Sequence, residues 1–304
     1  VTEAHDLLAR HPAGRLSALG PEDRLRALRT VRDGRCWTLG TEIFGLAPGP
    51  AYPERPRQLH IVYRDWSHYE KGLVQPLPGG VASVDDGVLL NCHGGTHLDA
   101  LGHIIAEGTI AGGIPASSTV GGLEHSDVTA IASVGIVCRG VVADLCARAD
   151  GAPLPRDHEV TLDELEACLS DQGVEVEPKD MLLLRTGSLR RFRLEGEERF
   201  WADYSEPGLS RDEALFDWLD AHEVLGIGTD TLANELPVNP RTGEGYPLHR
   251  YLLRDRGLQF HEGLWLEDLA ADCASDRRYV GLYIASPLKM VGASGSPVNP
   301  LFIK

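Results

Sequence analysis

Basic residues are few beside the acids: 29 Lys and Arg stand against 45 Asp and Glu, a formal charge of −16 at pH 7. So acidic a chain repels phosphate backbones and anionic lipid, which excludes nucleic acid and membrane surfaces as expected partners. Long apolar runs are missing too, and none approaches the ~18 residues that span a bilayer. Cysteine is sparse: Cys36, Cys92, Cys138, Cys146, Cys168 and Cys273 show neither CxxC spacing nor disulfide-scaffold density, and they read as reduced thiols of a cytoplasmic protein. The opening VTEAHDLLARHPAGRL has no basic segment followed by an apolar run, so no secretory signal is visible in it. Neither GxGxxG nor GxxxxGK[ST] occurs, which removes the usual dinucleotide and nucleotide phosphate cradles. GASGS at 292–296 falls one residue short of a GxSxG nucleophile elbow and has no histidine after it, so a serine hydrolase is not expected.

What remains is ordinary globular material, 42% hydrophobic and 24% charged over 304 residues, enough for one large domain with a sizeable core. Pro21 begins a helix running to Val31, and the Pro-rich stretch 46–56 reads as a loop, so residues 1–60 are expected to form an N-terminal arm. A strand is expected at IASVGIVCRGVVADL, residues 131–145. Thr161 with Glu164, and Ser210 with Glu213, predict capped helices carrying Leu165 and Leu169, and Phe216 and Leu219. Met181–Leu184, Val224–Gly228, LQFHEGL, YVGLYIA and NPLFI read as strands, with a short helix from His249 to Arg256 stopped by Gly257. Strands that alternate with helices predict an α/β fold around a mixed sheet.

The chemistry concentrates in VLLNCHGGTHLDALGHI. His93, His97, Asp99 and His103 occupy odd positions, so in an extended chain they would share one face while Leu98 and Ile104 turn away. A straight strand from His93 to His103 would span ~33 Å, too long for ligands of one ion. The segment must bend, and Gly94-Gly95 can supply the bend that brings His93 back towards His97 and Asp99. Two imidazoles and a carboxylate suit Zn²⁺ or Mn²⁺ and leave a coordination position for water; His103 is then a free acid or base at hand. Packing offers no reason to gather four such groups beside apolar strands, because burying them without partners is costly. Asp230, ending an apolar strand, is a candidate to hold a ligand imidazole by a hydrogen bond. Trp66 and Thr96 are candidates for substrate binding, Trp66 as an aromatic wall. His60, His68, His125 and His261 are expected to be structural.

HGGTHLDALGH, residues 93–103, resembles the HxGTHxDxPxH signature of the metal-dependent cyclase family, which includes kynurenine formamidase, isatin hydrolase and cyclic-imide hydrolases, with Leu101 where the signature has proline. LLLRTG at 182–187, GIGTDT at 226–231, PLHRYLL and the closing GASGSPVNP extend the likeness loosely from Asp85 to the C-terminus. The resemblance implies a mixed sheet of the swivelling β/β/α type with flanking helices. It implies His93, His97 and Asp99 as metal ligands and His103 as the catalytic histidine, with His249 and Glu262 completing the centre or building a second, so that one or two ions bind. The activity implied is metal-assisted hydrolysis of an amide, cyclic amide, imide or lactone of a small carbonyl compound. N-Formylkynurenine leads, which would place the chain in tryptophan catabolism; metal-dependent cyclisation or dehydration in a secondary-metabolite pathway is the alternative. A homodimer or homotetramer is also implied.

Overall fold

The computed structural model describes residues 8–44, 49–202, 204–239 and 241–304. Nine strands form one sheet: β1 (Cys36–Thr38), β2 (His97–Asp99), β3 (Ile136–Asp144), β4 (Met181–Arg185), β5 (Gly226–Thr229), β6 (Gln259–Glu262), β7 (Val280–Ala285), β8 (Gly295–Pro297) and β9 (Leu301–Ile303), in the order β1-β9-β7-β3-β4-β5-β6-β2-β8. The four central strands β3 to β6 run parallel. Antiparallel strands extend them on both sides: β7, β9 and β1 on one, β2 and β8 on the other. Such a mixed sheet with helices over both faces meets the α/β expectation.

Side-chain alternation along the strands splits the core into two layers. Val141, Ala143, Leu182, Leu184, Ile227 and Phe260 face the helices Leu162–Gln172 and Glu213–Ala221. Cys138, Val142, Met181, Leu183, Tyr283 and Phe302 face the helices Val128–Val134 and Glu267–Asp276. Both faces of the central strands are therefore apolar, which is why these stretches read as continuous hydrophobic runs.

Local signals set most boundaries. Thr161 and Glu164 form the expected capping box. The second helix is capped differently: Asp212 accepts from the Ala214 N–H at 3.0 Å, while the Ser210 backbone N–H is spent on Val160. Residues 131–134 are helical rather than extended, because Asp127 caps a helix start and Gly135, at φ +67°, resets the chain before β3. The helix from Pro21 ends at Leu28 and leaves Leu25 and Leu28 exposed, burying Ala27. His249–Arg254 forms a wide π-type turn, which Gly257 follows at φ +63°. Of the expected N-terminal arm, residues 1–7 and 45–48 lie outside the described residues, and β1 is built into the sheet. The segment that stands apart is Leu59–Arg64 paired with Asp85–Leu89, a separate two-stranded ribbon.

Candidate metal centre

His97 and Asp99 point to the same side of β2, while Leu98 enters the apolar core. β6 pairs antiparallel with β2 so that Glu262 lies opposite His97, and β8 pairs on the other edge, Gly295 opposite Asp99. The sheet ladder thus fixes three of the side chains from both flanks. Gly95, at φ +64°, turns the preceding chain back, and His93 Nδ1 comes to 2.8 Å from Asp99 Oδ1. A Cβ on Gly295 would lie 2.6 Å from the His93 ring, so glycine is what leaves room for that ring. The bend required of 93–103 is present, and only 97–99 is extended. Beyond it a turn at Leu101–His103 folds His103 over His93, with ring centroids 4.0 Å apart.

His97 Nδ1 lies 2.9 Å from the Gly95 carbonyl, an acceptor-only group, so Nδ1 carries a proton, and Nε2, which faces Glu262 Oε2 at 3.1 Å and Asp99 Oδ1 at 3.7 Å, is the nitrogen left to serve a cation. His249 is held likewise. Its Nδ1 is 2.7 Å from Glu235 Oε1, and the backbone N–H groups of Leu248 and His249 donate to the same carboxylate at 2.6 and 2.9 Å. Its Nε2 then faces Asp99 Oδ2 and Glu262 Oε1, each at 3.4 Å. Two groups of three result, His93, His97, Asp99 and Asp99, His249, Glu262, each with ligand atoms within 4.8 Å of one another. They share Asp99, whose Oδ2 is buried without a hydrogen-bond partner. Two buried carboxylates among imidazoles call for a cation, and this nitrogen and oxygen donor set fits a divalent transition metal.

Electrostatics follow from the crowding. Burial opposes charge on His97 and His249, but hydrogen bonds that their rings donate to the neighbouring carboxylates outweigh it, lifting His97 above its ordinary value and His249 well above. Asp99, although buried, is held well below the usual carboxylate range by His103, His249 and His93. His103 lacks such anchoring: burial, with His93 and His249 beside it, lowers it to about 3 against the pull of Asp99, so it is a neutral base near neutrality.

His93, His97, His103, His249 and Glu262 line one cavity of about 300 Å³ with Tyr52, Arg55 and Tyr246. Trp66 does not: it lies 67% exposed in Trp66–Glu70, stacked on Tyr69, because its short helix follows the ribbon rather than the sheet. Thr96 is buried with its hydroxyl donating to the Gly263 carbonyl at 2.6 Å and accepting from the Thr41 N–H, so it ties loops together. Asp230 touches no imidazole of the cluster. It accepts from the Thr186 and Gly187 N–H groups at 2.8 and 2.7 Å and from the Thr186 hydroxyl, joining the ends of β4 and β5. Glu235 does what was expected of Asp230. Sequence reasoning missed it because any of 45 acids can serve as the partner of a ligand imidazole, and spacing does not say which. Asn234, which donates to Glu262 Oε1 at 3.0 Å, and Ser294 of GASGS, 2.8 Å from His93 Nε2, were missed for the same reason.

Against known proteins, residues 40–235 match the Cyclase family model, described as "Putative cyclase". The chain is similar to a crystal structure described as a novel cyclase, at 27% identity over 96% of both chains and a TM-score of 0.86. It also resembles isatin hydrolase A from Ralstonia solanacearum, at 21% identity over 95% of this chain and 99% of that one, TM-score 0.65. A third similar structure is a Bacillus stearothermophilus protein described as a "predicted metal-dependent hydrolase", at 20% identity over 89% and 98% of the chains, TM-score 0.51. The last two likenesses concern the fold alone. No curated protein matches the chain at a significant level.

Proposed function

Because the chain belongs to the Cyclase family, we propose that it is a metal-dependent hydrolase of an amide, cyclic amide, imide or lactone of a small carbonyl compound, with N-formylkynurenine cleavage as the leading reaction. The observation that carries this reading is the convergence of four ligand-type side chains, His93, His97, His249 and Glu262, on Asp99, on the wall of a cavity that also holds an uncommitted histidine. His93, His97 and Asp99 would hold one ion, Zn²⁺ or Mn²⁺, and His249 and Glu262 would complete that centre or hold a second ion through the shared Asp99. When bound, such an ion supplies Lewis acidity for a carbonyl and acidifies water.

The chain's own groups do the rest. Gly95 and Glu235 orient the His97 and His249 rings through their far nitrogens. Neutral His103 takes a proton from attacking water on its imidazole and returns it to the leaving nitrogen or oxygen as that bond breaks. Ile104, Leu232 and Ala233 supply apolar wall that limits water around a small substrate. The test is metal analysis, chelation and metal return, followed by a panel of N-formylkynurenine, isatin, cyclic imides and aryl lactones. Products gain one water in hydrolysis and lose one in the alternative, cyclodehydration. No turnover on any member by metal-loaded protein sinks the hydrolase reading.

We also propose that the chain is a homo-oligomer, dimer or tetramer. Supporting this, Leu59, Ile61, Val62, Tyr63, Val88 and Leu89 of the ribbon are each 44–58% exposed. A lone two-stranded ribbon is marginal in water, and in a solution of this chain only a second copy is present to cover it.

A further inference from the structure

Many arginines of this acidic chain are tied to carboxylates: Arg139 to Asp180, Arg185 to Asp144 and Glu267, Arg250 to Glu107. Arg55 differs. Among the described residues no carboxylate lies within ion-pair distance of it, yet it lines the cavity that holds the metal-type cluster. One guanidinium nitrogen donates to the His93 carbonyl, and the guanidinium carbon sits 4.9 Å from the centre of the Tyr52 ring. That ring is itself fixed. The Tyr204 hydroxyl donates to buried Glu206 at 3.0 Å, so its oxygen receives the Tyr52 proton at 2.8 Å, and Tyr52 in turn accepts from Tyr246 at 3.2 Å. A carbonyl on one side and a ring on the other hold the guanidinium plane, and none of its remaining nitrogens is buried without a partner. A cation held on two sides thus stands where this cavity meets a neighbouring one, with guanidinium nitrogens to spare beyond the one on the His93 carbonyl. Glu54, also on this wall, is exposed.

We propose that Arg55 is a specificity-determining residue that binds a carboxylate carried by the substrate, so that the cavity takes small carbonyl compounds bearing an anionic group. A planar fork matches a carboxylate bidentately, and such charge-assisted pairs are the strong hydrogen bonds of binding sites. The assignment rests on the hydrolase reading above for its reaction, but not for its binding chemistry.

The test uses metal-loaded protein and a matched pair with the same scissile bond, formanilide and 2-formamidobenzoate. Wild type is expected to favour the carboxylate by about 10–100-fold in kcat/KM. Arg55→Gln should abolish that preference by raising KM for 2-formamidobenzoate, with a much smaller effect on formanilide and with the ion retained; Arg55→Lys should keep part of it. Calorimetry with 2-aminobenzoate, against aniline, reads the same contact without catalysis, and Arg55→Gln should weaken only the former. Equal losses on both substrates, an unchanged preference, or loss of the ion from Arg55→Gln overturns the assignment. Should neither formanilide be cleaved while 2-aminobenzoate binding still depends on Arg55, it is the reaction that fails and the anion site that stands.

Discussion

His97 and Asp99 are 1% and 0% exposed, whereas Leu73, Leu77 and Val84 in the ribbon segment are 70%, 65% and 72% exposed. One region buries ionisable groups and the other displays apolar ones, each against the usual trend. The two departures differ in what would settle them. Buried carboxylates among imidazoles are settled by something small and charged that fits inside. An apolar ribbon without a core of its own is settled by something large that covers it. In the site the ligand-type side chains are held both by strand pairing and by hydrogen bonds to neighbouring segments, while the ribbon strands touch chiefly each other. Perturbing the first region should therefore change chemistry at constant mass, and perturbing the second should change mass at nearly constant chemistry.

The strongest way to break this contrast is at the shared carboxylate. Asp99→Asn removes the anion common to both three-residue groups. A Lewis acid contributes several kcal/mol at tenfold per ~1.4 kcal/mol, so activity should fall by about 10³-fold or more, with loss of bound ion by elemental analysis. Retention of the ion and of activity would remove Asp99 from the centre. His103→Ala sharpens the picture within the site: turnover should drop by about 10²–10³-fold with the ion retained, as fits a proton carrier that holds no metal. Glu235→Gln comes next. It leaves every proposed ligand in place but loosens His249, so metal affinity should weaken by about 10–100-fold in a titration, and a wild-type affinity would show that His249 is held in other ways.

Much of the fold was legible because its signals are local. The capping box at Thr161, the runs at Met181 and Val280 and the stop at Gly257 each encode their own boundary. The segment at 131–134 was misread because Ile, Ala and Val suit a buried helix and a strand alike; Asp127 and Gly135 decide. In the site, the ligand-type residues of 93–103 were visible because one stretch holds them, and the Gly94-Gly95 bend follows from the reach of an extended chain. His249 and Glu262 came only through resemblance, since nothing in spacing says that β6 pairs with β2. Glu235 and Arg55 were invisible for a related reason: their roles exist only where distant segments meet, and neither lies in a pattern of its own. Trp66 shows the opposite error, an aromatic near the motif in sequence that the ribbon carries away from the cavity.

The smallest expected effect on chemistry lies in the ribbon. Leu59 and Leu89 face each other across its two strands at 50% and 56% exposure, so Leu59→Lys with Leu89→Lys should cost a lone subunit no more than about 0.5 kcal/mol. If a second copy covers them, the same change places two like charges in an apolar contact, where desolvation is far more expensive. Light scattering should then show the assembly falling to the 33.0 kDa subunit. All five proposed ligands and His103 come from one chain, so turnover per subunit should stay within about twofold of wild type. A wild-type protein already at 33.0 kDa would end the oligomer reading. A dissociated variant that had also lost turnover would mean instead that the covering copy shapes the cavity, and that the two regions act as one.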